Sequence, residues 1–594
     1  MIRRRILELI KYLLGNKKLL LDNGIKDLHE EEIHKYELQG KTTILLADEE
    51  KLIAFITLAD VVRNESIELI KKLKNENIKT YMLTGDNERT AKVIAEKLGI
   101  DDVIAEVSPE DKYKKVKELQ EQGKKIAMVG DGINDSPALA QADVGMAIGS
   151  GTDIAIESAD IVLMGKDIEV ILTAIRLSRA TIKNIKENPD LYIGIELEFP
   201  IVHVNGQATD IEVTKDLMRF LVDALSLEVE KEDQNGNPIQ LVEPKSQDRI
   251  LFEVSYTTLE FAFGRAQNIQ EVEGRFETYM KVIQEKLGEK NHAIQGWGIH
   301  PNWDQNDNRP VAYPRYQMLM DYLHMGSRQE RADLHDFPQY GAFICGSQVQ
   351  LDVSTSNYLR VINAFTQIEA AKAYLFANSE FSGADWDTKI SRDIFWEESM
   401  HGIYPENVGV NAKLFKDEDD FFDYLDRSAI FTAERDGETY YFSPIQARDY
   451  LATDEIHAYT LNGKETLFAP LEKDFQTHRS YQFQDLTTRG TVEFRSVCTQ
   501  PLDRTFASAA FHLGLLVNLD KLETYLETAP FFERFGRDYK SLRRQFSKKQ
   551  LTDEETVGIV QFSKDLLAIA EKGLEMRGQS EMTYLVPLKE ELGL

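Results

Sequence analysis

Six positions in the last two thirds of the sequence have the residue types and spacing for phosphate chemistry. In "YIGIELEF" a strand's alternation puts Glu196 and Glu198 on one face, with Ile195, Leu197 and Phe199 on the other. Two carboxylates side by side repel each other unless a cation sits between them. The alternative is a solvent-facing strand with two harmless glutamates. "LFEVSYTTLEFAFG" adds Glu253 and Glu260, set among aromatic and β-branched residues where an unpaired charge is expensive. Their odd separation puts them on opposite faces of one straight strand, so convergence requires a bulge, a bend or a short helical turn. "RGTVEFRSV" puts Glu493 and Arg495 on one face, a carboxylate beside a guanidinium that can neutralise a phosphate. Together these form an oxygen-rich set of the kind that holds Mg2+, unlike a thiolate or imidazole site.

A second set lies in the first third. "LTGDN" supplies Thr84, a donor to a phosphate oxygen, and "VGDGINDSPAL" supplies Asp131 and Asp135, which can hold a hard divalent cation. Lys112 in "SPEDK" adds a compact positive charge. One Gly-Asp pair alone reads as a plain turn; the joint presence of "TGDN", "PEDK" and "GDGINDSPALAQADVGMAIGSGTDIA" argues for phosphate handling.

The elements that must position these groups differ between the two parts. From Lys41 to about Asn188, short apolar runs alternate with charged amphipathic stretches, predicting a hairpin over "KTTILLADEEKLIAFITLAD" and then a parallel sheet flanked by helices. Ligands of such a sheet collect beyond the carboxyl ends of its strands. Pro189 marks a switch to strand-like alternation, which divides the chain into residues 1–188 and 189–594. There is no GxxxxGK[ST] loop, and "GSGTD" is not a dinucleotide fingerprint. His300 and His478 lack a spaced partner pattern for metal binding. Gln348 and Gln350 alternate on one strand face, either lining a site or pairing across the sheet. A net charge of −30 over 594 residues argues against nucleic acid as a partner. No apolar run is long enough for a membrane span. "MIRRRILELIKYLLGNKKLLL" reads as an amphipathic helix rather than a signal peptide. Only two cysteines, Cys345 and Cys498, fit a reducing, cytoplasmic setting and core packing.

Residues 15–188 resemble the phosphorylation domain of P-type ATPases, with wording close to the copper and heavy-metal branch, including "LSRATIKNIKEN". The resemblance implies a HAD-like, Rossmannoid α/β domain in which Thr84 and Lys112 contact phosphate and Asp131 and Asp135 serve a Mg2+ site. The family transfers phosphate onto the aspartate of a DKTGT motif, and no DKTGT occurs in this sequence. Without a nucleophile, covalent transfer by that route cannot run. Because that aspartate sits on the family's central strand, the domain is expected to be incomplete or to use a substitute strand.

From Pro189 to Asn518 the blocks "GIELEFP", "FEVSYTTLE", "GIHPNW", "YPRYQMLMDYL", "QVQLDVSTSNYLRVINAFTQIEAAKAYLFANSEF", "SRDIFWEESMHG" and "TVEFRSVCTQP" resemble, in order, the glutamate–cysteine ligase family, closest to its plant and actinobacterial branch. The resemblance fades in the charged helical tail. It implies an α+β fold, an antiparallel sheet curled into a funnel and related to glutamine synthetase. It also implies ligation of the glutamate γ-carboxylate to the cysteine amine through a γ-glutamyl phosphate, with ATP as co-substrate, as the first step of glutathione-type thiol synthesis. Glu196, Glu198, Glu253, Glu260 and Glu493 match positions that hold Mg2+, Arg495 a phosphate-side arginine, and Arg315, Arg392 and Trp396 positions around glutamate. "LDRSAIF", Leu425 to Phe431, departs from the plant-like "LDVPMYF", so that wall of the substrate pocket stays open, and the cysteine-binding residues are not assigned. The alternatives are a ligase for another amine, a phosphate-handling ATPase derivative with an accessory ligase-like part, and a first third that serves only as an interaction module.

Overall fold

A computed structural model of the chain describes every residue except 1–11, 16, 38, 40, 49–50, 60–61, 131–134, 149–160, 164–170, 172–184, 188, 327–332, 436, 478–479 and 488. The chain divides into two compact units, Met1–Arg176 and Leu177–Leu594.

In the first unit the expected hairpin is present: Lys41–Ala47 pairs antiparallel with Leu52–Ala59, and Leu13–Gly15 adds a third strand. Beyond it the strands run parallel, as expected, but in two separate groups. Tyr81–Leu83 pairs with Asp102–Ile104, and Ala127–Gly130, Val144–Ile148 and Ile161–Leu163 form a trio. No strand among the described residues joins the two groups. Helix Glu88–Leu98 follows the "TGDN" strand end. Asn87 caps it by accepting from Thr90 N–H, and Gly99 closes it in the left-handed region.

The second unit is built on a nine-stranded sheet. Its strands are β1 (Ile193–His203), β2 (Glu228–Glu232), β3 (Pro238–Val242), β4 (Arg249–Phe252), β5 (Thr258–Ala262), β6 (His292–Ile294), β7 (Gly346–Asp352), β8 (Gln484–Leu486) and β9 (Thr491–Cys498). The order is β2-β3-β4-β5-β1-β7-β9-β8, with β6 added to the end of β1, and every pairing is antiparallel. Helices α1 (Ile211–Ala224), α2 (Ile269–Gly288), α3 (Pro314–Met325), α4 (Glu369–Leu375), α5 (Ser391–Glu397), α6 (Ala507–Val517), α7 (Tyr539–Phe546) and α8 (Asp553–Arg577) accompany it. A four-stranded meander spans residues 429–468.

Alternation sorts the sheet's two faces. Ile195, Leu197, Phe199, Leu259, Phe261, Val349, Leu351, Val492 and Phe494 are buried in one continuous core with residues of α1, α2, α4, α6 and α8, a packing that fixes the register because a one-residue slip would reverse every side chain. The opposite face is left for the polar positions.

Candidate active site

The polar face carries Glu196 and Glu198 on β1, Glu260 on β5, Gln348 and Gln350 on β7 and Glu493 and Arg495 on β9. Register aligns them into rows: Glu198 opposite Glu260, Glu196 opposite Gln348, and Gln350 opposite Glu493. Glu253 joins them through a tight turn between β4 and β5. Val254 at φ +59° bends the chain so that Glu253 N–H donates to the Thr258 carbonyl. The bend required by the odd spacing of Glu253 and Glu260 is therefore real.

All of these groups except Gln350 line one cavity of about 370 Å³, together with Arg315, Arg392, Trp396, Lys231, Tyr316, Tyr340, His401, Tyr481 and Arg489. Gln350 supports it from the side. Its amide donates to Glu196 at 2.9 Å, as that of Gln348 does to Glu198 at 3.2 Å. Arg495 donates to Gln348 Oε1 at 3.0 Å and to Glu493 Oε2 at 2.6 Å. A chain of contacts thus runs from Glu198 through Gln348 and Arg495 to Glu493.

Arg495 is aimed by a bulge that the sequence does not announce. Ser347 pairs with Val497 and Val349 with Phe494, so Arg495 and Ser496 together face the single residue Gln348. Two arginines meet the carbonyls at this irregularity. Arg392 Nη1 donates to the Arg495 carbonyl at 3.0 Å, and Arg543 Nη2 of α7 to that of Ser496 at 3.0 Å. Arg543 is fully buried, with a bidentate pair to Asp393 at 2.7 and 2.9 Å and a bond to Glu369 at 2.6 Å; Lys372 Nζ lies 2.6 Å from the same Glu369.

Burial of like charges dominates the electrostatics. Desolvation, then the Glu493 charge, lifts Glu196 to about 7. Desolvation lifts Glu198 to about 7 against the pull of Arg392. Glu253 is raised by burial, although Arg315 and a hydrogen bond from Tyr316 oppose this, and Glu260 is raised well above the usual carboxylate range by burial and by Glu253. Such a cluster favours a cation, and the oxygen donors suit Mg2+. Among the described residues no three of these groups converge on one ion-sized point.

The remaining expectations fall out individually. Glu196 and Glu198 do not sit on a solvent-facing strand: Glu198 is 8% exposed. Arg315 is exposed where it borders the cavity, and Trp396 stacks on Tyr481 at 5.1 Å. His300 is buried among Thr209, Asn306 and the Ile201 carbonyl, and desolvation lowers it to about 4. Cys345 and Cys498 are free and buried. Lys231, Arg489, Tyr316, Tyr481 and His401 went unforeseen, because an isolated residue of these types has no spacing signal.

In the first unit Lys112 Nζ meets Asp135 Oδ1 at 2.6 Å, but Thr84 donates to Asp86 instead. Asp131 and His478, like most of "LSRATIKNIKEN", lie outside the described residues, and in the described part of the N-terminal stretch Leu13–Gly15 is a strand and Lys17–Asp22 a short helix, in place of the one amphipathic helix expected.

The sequence model of glutamate-cysteine ligase family 2 matches residues 192–590, which includes the whole carboxylate cavity. The chain belongs to glutamate-cysteine ligase family 2. The match continues to residue 590, so the resemblance does not end at Asn518 and the helical tail that carries Arg543 lies within the matched region. A haloacid dehalogenase-like hydrolase model matches residues 3–143. Copper-exporting P-type ATPases of Staphylococcus epidermidis and Staphylococcus aureus are 48% identical over 178 residues and 49% over 179, covering 30% of this chain and 22% of theirs. The chain thus spans about a fifth of the length of these relatives. A zinc-transporting PIB-type ATPase structure in its E2.Pi state is 36% identical over 30% of this chain and 29% of that one, with a TM-score of 0.24, too low to bear on the fold. No helix among the described residues is long and apolar enough to cross a membrane.

Proposed function

We propose that the second unit joins the γ-carboxylate of glutamate to the amine of cysteine at the expense of ATP, through a γ-glutamyl phosphate, as the first step of glutathione-type thiol synthesis. The observation that carries this reading is the five-carboxylate cavity backed by Arg495, in a chain of glutamate-cysteine ligase family 2. On this reading the sheet forms the funnel of a glutamine-synthetase-like domain covering residues 189–594.

Glu196, Glu198, Glu253, Glu260 and Glu493 would hold Mg2+. When bound, Mg2+ neutralises phosphate charge and aligns an in-line transfer. Arg495, tied to Glu493 and Gln348, faces the transferred phosphoryl group with a fixed planar fork. Arg392 and Arg315 take the carboxylate of glutamate, with Trp396 packing on its methylenes. The buried Nε atoms of Arg392 and Arg495 have no partner among the described residues, which suits two guanidiniums that await an anionic ligand. Gln348 and Gln350 hold the carboxylates of β1 in place. Exclusion of water by the aromatic walls protects the acyl phosphate from hydrolysis.

For the first unit we propose at most phosphate binding by Thr84 and Lys112, with Asp131 and Asp135 toward a cation. The sequence offers no nucleophilic aspartate in a DKTGT context, so no transfer step is assigned to residues 1–188.

The test is phosphate release by the full chain with ATP, Mg2+, glutamate and cysteine. Release that requires both amino acids and is lost in Glu196→Gln supports the reading. An absence of release with any amine refutes it.

A further inference from the structure

His401 follows α5 on a short 3-10 turn, Met400–Gly402, and lines the cavity at its aromatic end. Its ring lies 4.7 Å from that of Tyr481, 5.0 Å from Trp396, 5.3 Å from Tyr322 and 5.6 Å from Phe431. Phe431 ends the "LDRSAIF" segment, the stretch that departs from the plant-like members. Tyr481 also faces the other way, its ring 5.8 Å from the Arg495 guanidinium. The histidine box therefore adjoins the Arg495 end of the cavity.

The hydrogen bonding of His401 is half complete. Nδ1 lies 3.0 Å from the Tyr340 hydroxyl, which is 3.1 Å from Ser399 Oγ. Ser399 donates its own proton to the Trp396 carbonyl at 2.9 Å and accepts from His401 N–H at 3.3 Å. Ser399 can then only accept from Tyr340, and the Tyr340 proton goes either to Ser399 or to His401 Nδ1. In the first case His401 Nε2 is a bare acceptor, and in the second it carries a proton. In neither does Nε2 find a partner among the described residues, although His401 is only 3% exposed. Its surroundings keep the ring neutral, desolvation lowering it to about 3. An orphaned buried ring nitrogen inside an apolar box costs free energy unless something completes it.

We propose that His401, with Phe431 and Tyr481, forms the side-chain pocket for the amine acceptor, Trp396 dividing it from the glutamate side, and that Nε2 reads one small hydrogen-bonding group there, a thiol or a hydroxyl. The aromatic rings suit a short, soft side chain, while Nε2 rejects an isosteric methyl that would leave it unpaired. His401 is thus a specificity residue. This inference rests on the ligase reading, and the experiment separates the two.

Full-length protein is first given ATP, Mg2+, glutamate and hydroxylamine, a nucleophile that needs no side-chain pocket. Hydroxamate formation reports the acyl phosphate alone. The KM for cysteine is then compared with that for 2-aminobutyrate, which carries a methyl in place of the thiol, in wild type, His401→Phe and His401→Gln. The expected result is a wild-type preference for cysteine of about tenfold, the size of one neutral hydrogen bond. That preference should collapse toward unity in His401→Phe and survive in part in His401→Gln, whose amide still offers a polar group. If the phenylalanine variant does not fold, the glutamine variant and the wild-type preference carry the comparison. Hydroxamate formation without a wild-type preference, or with a preference that neither variant alters, overturns the inference and leaves the ligase reading standing. If no hydroxamate forms, the ligase reading fails and the inference falls with it.

Discussion

Gly346 N–H donates to Glu198 Oε2 at 2.6 Å, while the Arg392 guanidinium fills the space where a side chain of the same glycine would stand. A Cβ at position 346 would collide with Arg392 Nη2 and sit 2.8 Å from its Cζ. One missing side chain thus lets a carboxylate and an arginine share one backbone position. Gly346→Ala is expected to push Arg392 out of place and raise the KM for glutamate at least tenfold, with a smaller effect on the KM for ATP. Steady-state kinetics with each substrate varied in turn checks it.

The raised carboxylates give a pH-dependent stability with a definite sign. Glu198 shifts from 4.5 to about 7 on folding, so its ionisation opposes the fold. The cost is absent below about pH 4.5, grows between the two values and is complete above 7, amounting to about 3 kcal/mol. Glu198→Gln cannot ionise. Between pH 4.5 and 8, without added metal, the stability difference between variant and wild type should move by about 3 kcal/mol in favour of the variant. Urea melts at several pH values read this directly, and a constant difference would contradict it.

Mg2+ should reverse that penalty in the wild type. A cation bound only by the folded state raises stability with the logarithm of its concentration, about 2.7 kcal/mol at a hundred times Kd. The melting transition of the second unit is expected to rise with Mg2+ in wild type and to lose most of that response in Glu196→Gln. Equal shifts in both proteins would remove Glu196 from the metal site.

Arg543 links two buried carboxylates to the strand that bears Arg495. Arg543→Met leaves Glu369 and Asp393 without their shared guanidinium, with Lys372 beside Glu369 as the remaining cation. The expected loss is about 3 to 5 kcal/mol in denaturant titration, the cost of breaking a buried pair. Arg543→Lys should recover little of it, because an ammonium cannot span both carboxylates and the Ser496 carbonyl.

How much of this was legible depends on how local the signal is. Glu196 and Glu198 could be read because strand alternation is short-ranged and their apolar neighbours announce the buried face. Glu253 and Glu260 could be read as costly charges, but the turn joining them uses a β-branched valine at positive φ, which no propensity anticipates. The bulge at Arg495 is a property of two paired strands and is invisible in either one alone. Arg543 sits in a charged amphipathic helix that resembles any solvated helix, and only the fold shows that its side chain faces inward. In the first unit the hairpin and the parallel sense of the later strands were legible. Their separation into two parallel groups was not, since it depends on which strands find partners.

The Arg543 clamp also imposes an order on assembly. A growing chain completes β9 at Cys498, so every carboxylate of the cavity is synthesised while α7 is still to come. At roughly 5 to 20 residues per second, the interval before residue 543 is made lasts a few seconds. During it Glu369 and Asp393 have no guanidinium to neutralise them, and the Ser496 carbonyl has no donor from α7. The Arg495 side chain thus has its partners Gln348 and Glu493 before the neighbouring Ser496 carbonyl receives its donor from α7.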